Sequence, residues 1–147
     1  MTIPNPLDAI EEMITDEAVR AAQGSAPLSS PPVLSDFPYV VLWSNLPAEE
    51  SGGGPDAPTL ADEPDSLRAS IRITYAASSI SSLYWLINRV RPLLDRQTPV
   101  IDGYHVERLR LRSTFDEAQD RTIQLEGGRH PIYAVDSSPL IAQKLKE

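Results

Sequence analysis

The chain is 147 residues long, has no cysteine, and carries 21 acidic against 13 basic residues, for a net charge of −8. That length suits one domain spanning 1–147 with a single core, and the missing thiols exclude disulfides, thiolate nucleophiles and cysteine metal sites. No apolar run reaches the roughly 20 residues of a membrane helix, and the acidic N-terminus does not resemble a secretory signal, so a soluble protein with no membrane partner is expected.

The charge is unevenly spread. Residues 1–65 hold twelve of the acidic residues, one base (Arg20) and ten of the 14 prolines, whereas residues 66–147 hold nine acids and twelve bases. Two readings stay open: an acidic, loop-rich half that keeps the protein in solution, or copies that attract one another head to tail, acidic half against basic half. Nucleic-acid recognition is not expected, because the basic excess is small and not clustered around aromatics.

In chain order, Asn5-Pro6 reads as a cap and first helical residue, followed by the stripe Leu7, Ile10, Met13 and Ile14. A break near Thr15 and a second turn through Val19 to Gln23, stopped by Gly24, complete an N-terminal helix. The prolines at 27, 31, 32 and 38 make an extended connector, so helix and connector together occupy 1–36. Tyr39 to Trp43 is a short apolar strand. From Pro47 to Asp65 the composition turns to Gly, Pro, Asp and Glu, which predicts a mobile loop without structure of its own, the oversized tip of a long hairpin.

Residues Ser66 to Tyr75 alternate without an error, Leu67, Ala69, Ile71, Ile73 and Tyr75 against Ser66, Arg68, Ser70, Arg72 and Thr74. A period of two is a half-buried strand. The period then lengthens, with Ile80, Leu83, Leu86, Ile87, Val90 and Leu94 at helical spacing behind Ser78 and Ser79 as candidate caps. Pro92 is expected to end or kink this central helix. Val100 to Val106 reads as a tight hairpin turning at Asp102-Gly103, its second strand continuing past a bulge to about Ser113. A polar stretch from Phe115 to His130 leads to a last strand over Ile132 to about Ile141, where Pro139 argues for an edge. The expected fold is α+β: an antiparallel or mixed sheet packed against one central helix and the N-terminal helix.

Chemistry-bearing patterns are sparse. Asp102 and His105 could form an acid–base pair, but no nucleophile motif surrounds them. Glu11-Glu12, Glu49-Glu50 and Asp62-Glu63 lack calcium-loop spacing, and Gly52-Gly53-Gly54 is followed by no Gly-Lys-Ser/Thr, so it is not a phosphate loop. Neither catalysis nor a bound metal or cofactor is expected. One side chain is out of place: at about 100° per residue, Trp85 points away from the core stripe, among Ser81, Ser82, Asn88 and Arg89. It either packs under a loop of its own chain or anchors an interface beside Arg89, since Trp and Arg dominate interface hot spots.

Pro38-Tyr39-Val40-Val41-Leu42, the alternating strand, Trp85-Leu86-Ile87-Asn88-Arg89-Val90-Arg91 and Pro131-Ile132-Tyr133-Ala134-Val135-Asp136 occur in this order. The series resembles the small tail terminator (tail completion) proteins of long-tailed siphophages, particularly those of actinobacteria, over about residues 37–142. Tyr75-Ala76-Ala77-Ser78 departs from the family, which often has a glycine between strand and helix. The resemblance implies a virion protein made in the host cytoplasm and placed at the neck-proximal end of the tail. It implies a homo-hexameric ring that caps the tail tube, ends its polymerisation and docks the head–tail connector or stopper, with DNA passing through the lumen unbound. Expected subunit or partner contacts are Arg68, Arg72, Trp85 and Arg89. The loop residues Glu50, Gly52, Gly53, Gly54, Asp56 and Asp62 are expected to order on assembly, and the major tail tube protein is an expected partner of the ring. Alternatives are a head-completion or stopper protein of the neck, or a small non-enzymatic ligand-binding or regulatory module.

Overall fold

The computed structural model describes residues 5–28, 33–45, 48–51 and 64–145. Helix α1 (Pro6–Met13) forms because the Asn5 side chain accepts from the Leu7 N–H at 3.0 Å, while Pro6 takes a position where its missing N–H costs nothing. Leu7 and Ile10 are buried and Met13 and Ile14 pack beside them. The second helical turn does not form. Ala21–Gln23 instead become β1, parallel to β2 (Tyr39–Ser44), fastened by Val40 N–H to the Arg20 carbonyl at 2.8 Å and Gly24 N–H to the Leu42 carbonyl at 3.0 Å. A ready sheet edge satisfies that backbone, whereas a short isolated turn must bear its own nucleation cost.

Strand β4 (Pro64–Ala77) is the centre of the sheet and extends the alternating stretch at both ends. β2 pairs with its second half and β3 (Ala48–Ser51) with its first, so the two lie end to end along one partner. The expectation of a structureless loop over 47–65 is therefore corrected. Six of its residues are strand, Ala48–Ser51 in β3 and Pro64 and Asp65 at the start of β4, with Glu50 standing opposite Ser66; Gly52, Gly53, Gly54, Asp56 and Asp62 lie outside the described residues. Composition hid β3 because a ladder is built from backbone groups, which Ala-Glu-Glu-Ser supplies as well as an apolar run.

Ser79 caps α2 (Ile80–Leu94), its Oγ accepting from the Ser82 N–H. Ile80, at helical spacing with the inward stripe, is 52% exposed and not part of the core. The helix does not end at Pro92 but runs two residues further to the buried Leu94, because Pro92 lies in the last turn and forfeits one bond that the packing of Leu94 outweighs.

The remaining strands all pair with β7 (Ile132–Lys144). Gly103 turns with φ +79° as expected, but Val100 and Ile101 are not its hairpin partner; β5 (Tyr104–Val106) pairs with β7 instead. Residues 107–111 leave the sheet, and β6 (Arg112–Gln119) rejoins it, so the polar stretch begins as strand. Nor is Pro139 on an edge strand, since β7 is flanked by β4 on one side and by β5 and β6 on the other. Its ring is tolerated because Ser70, opposite it, bonds to Asn45 and not to β7, and Pro139 falls between the residues that pair with β5 and β6.

The strand order is β1-β2-β4-β7-β5, with β3 on β4 and β6 on β7; all pairs but β1–β2 are antiparallel. This mixed sheet with α1 and α2 against it is the expected α+β fold. Its helix-side core holds Ile10, Val40, Leu42, Ile71, Ile73, Leu83, Leu86, Val90 and Leu140. A second, smaller core on the other face, formed by Phe37, Tyr39, Val41, Ala76 and Leu125, was not legible in the alternation.

Candidate functional site

The alternation of β4 aims Arg68 and Arg72 away from the helices, onto the half of the outer face that the small core leaves open. Register places Trp43 and Ser137 on either side of Arg72. The Arg72 guanidinium lies 5.9 Å from the centre of the Trp43 ring, within cation–π range. Trp43, Asn45, Ser70, Arg72, Thr114 and Ser137 line an open groove of about 540 Å³. Its chemistry is that of a fixed cation beside a flat aromatic surface and several hydroxyls.

On the far side of the helix layer, α2 presents Trp85, 37% exposed, with the Arg89 guanidinium 4.5 Å from its ring centre. Arg89 also donates to Asp16 at 2.7 Å, tying α2 to the segment after α1. That hydrogen bond, assisted by one from the Ala18 N–H, holds the Asp16 carboxyl below the usual range. Ile80 and Tyr84, also exposed, extend this apolar surface along the helix.

The four residues expected to form one contact are thus divided. Arg68 and Arg72 face out from the sheet, Trp85 and Arg89 from the helix layer, and the core lies between them. The physical reason is layering: a strand's polar side and a helix's polar side both point away from a shared core, hence in opposite directions.

A third constellation escaped the sequence reading. Asp136, almost fully buried in β7, accepts from Arg91 Nε and a terminal guanidinium nitrogen, both at 2.8 Å, and from the Tyr75 hydroxyl at 2.8 Å. Burial, then the neighbouring Asp136 charge, pushes the Tyr75 hydroxyl well above its ordinary value, and the Asp136 hydrogen bonds push Arg91 up likewise. This network bolts the last turns of α2 to the centre of the sheet. The available signal was a carboxylate in the inward phase of a strand, between Ala134 and Ser138. His130 sits 2.8 Å from the Ile123 carbonyl, and His105 is exposed on β5, opposite Gln143. Among the described residues no three His, Asp or Glu side chains are grouped to hold a metal ion.

No family model and no curated protein matches the chain. Seventeen solved chains resemble it in structure. One superimposes with a TM-score of 0.53 over 93% of this chain and 89% of its own, at 12% identity, a likeness of fold alone.

Proposed function

We propose that the protein is a structural component of a long-tailed phage particle, a ring that caps the tail tube, ends its growth and joins the tail to the head connector. The observation that carries this reading is the pair of arginine–tryptophan patches on opposite faces: Arg72 with Trp43, and Arg89 with Trp85. Two unlike surfaces, each with the residue types that anchor interfaces, suit a component seated between two different assemblies. The segments that carry the resemblance to tail terminators fall on β2, β4, α2 and β7, the elements that build both patches and the core between them. Labelling intact particles with antibody to this protein should mark the head-proximal end of the tail. Signal elsewhere on the particle, or none, overturns the reading.

The open groove beside Trp43 favours a second reading, a non-enzymatic module that binds a small anionic or aromatic ligand. Saturable quenching of Trp43 fluorescence by such a compound, lost in Arg72→Ala, would support it over the first.

A further inference from the structure

The two lateral edges of the sheet are oppositely charged. At the β1 edge, residues 5–23 hold five carboxylates against one arginine. Asp8, Glu12 and Glu17 are exposed there, and Gln23 clasps Asp8 and Glu11 at 2.9 and 2.7 Å without neutralising them. At the β5–β6 edge, residues 96–112 hold four arginines against two carboxylates. Arg108, Arg110 and Arg112 are exposed and alternate with buried Leu109 and half-buried Leu111.

These edge arginines differ from those of α2. Arg89 and Arg91 are each tied to a carboxylate of their own chain. Among the described residues, Arg108, Arg110 and Arg112 have no such partner. Leu109 is pinned by hydrogen bonds between its backbone and Arg96 and Gln97, so this row is presented from an anchored segment.

We infer that the arginine row 108–112 of one copy docks on the acidic α1 edge of the next. Spacing agrees as well as sign. Alternate residues of an extended segment stand about 6.6 Å apart, close to the roughly 6 Å along the helix between Asp8 and Glu12, four residues apart. The two edges are separated by four strand spacings, about 19 Å, and lie at opposite ends of the sheet. A contact between two different surfaces of one protein propagates head to tail, and closes into a ring when the rotation per copy permits. The faces bearing Trp43 and Trp85 then remain free for other partners. This inference rests on the ring reading above and specifies which surfaces meet.

The test is a charge swap on the full chain, followed by native mass spectrometry and sedimentation at about 50 mM and 500 mM salt, where screening lengths differ severalfold. R108E/R110E and E12K/E17K alter only exposed side chains, and unchanged melting curves verify folding. Each variant alone should self-associate on the order of a hundredfold more weakly than the unaltered protein, because like charges now face each other. Mixed in equal amounts they should regain assembly, in species alternating between the two variants, and high salt should weaken every productive combination. Single variants that assemble as the unaltered protein does, or a mixture that stays apart, overturn the inference. So does unaltered protein that is monomeric at about 1 mM, a bound of roughly 4 kcal/mol on the contact. In each of those cases label at the tail neck would still uphold the tail-capping role, so the two claims fail separately.

Discussion

The two faces of the sheet use the same residue types to different ends. On the helix side, Arg91 reaches a buried carboxylate and meets it with two parallel hydrogen bonds, while Tyr75 completes the acceptor's shell. On the outer side, Arg72 lies over a half-buried tryptophan with solvent close by. Burial makes the difference. A charge taken from water must be fully paired, and breaking that pair is costly; an exposed cation loses little when its neighbour goes. The covered face therefore carries the costlier interaction, and the open half of the outer face contributes little to stability.

The largest test of this contrast is on the covered face. Ile71→Ala, which empties a fully buried site between β4 and α2, should lower unfolding free energy by about 2–5 kcal/mol in denaturant melts. Asp136→Ala should cost about 2–4 kcal/mol, discounted because Arg91 is 45% exposed and can regain water. Asp136→Asn, which can still accept from Tyr75, should lose less than that.

Alkali probes a buried tyrosine in each of the two cores, Tyr75 on the helix side and Tyr39 in the smaller core on the other face. Tyr75 and Tyr39 both have hydroxyls raised by burial first. A raised folded value means that the stability it carries is complete below the unfolded tyrosine's ordinary value of about 10 and is lost as pH climbs above it. Unfolding free energy should thus fall beyond about pH 10, and Tyr75→Phe should flatten that fall. A steeper fall in the variant would remove Tyr75 from the account.

The smallest effect belongs to the open face. Arg72→Ala should change stability by about 1 kcal/mol or less. A loss as large as that of Asp136→Ala would erase the distinction between the faces. Arg89→Ala should lower the melting temperature less than Asp136→Ala, and its contribution through Asp16 should vanish in acid. The Asp16 carboxyl is lowered by Arg89, so that stability is present above the ordinary carboxylate value and lost as pH falls through the lowered one.

Much of the scaffold was legible from side-chain periodicity. The error-free alternation of residues 66–75 located β4 and predicted that Arg68 and Arg72 lie opposite Ile71 and Ile73. Helical spacing placed Leu83, Ile87, Val90 and Leu94 inward and Trp85 outward, and Asn5 and Ser79 were readable as caps. These follow from local geometry, since period and capping chemistry depend on residues a few positions apart. What alternation could not show is which backbone edges find partners. β1, β3 and β6 beyond Ser113 lie in polar or Gly/Pro-rich sequence and exist because β2, β4 and β7 offer unpaired N–H and C=O groups. The same long-range register brought Trp43 to Arg72, and Asp136 to Tyr75 and Arg91. It set Arg68 and Trp85 on opposite sides of the protein and left Pro139 in a gap of an interior strand. Sequence by itself determined which side each residue of a strand or helix turns; only the tertiary structure decided what stood there to meet it, because those partners come from strands and helices dozens of residues away.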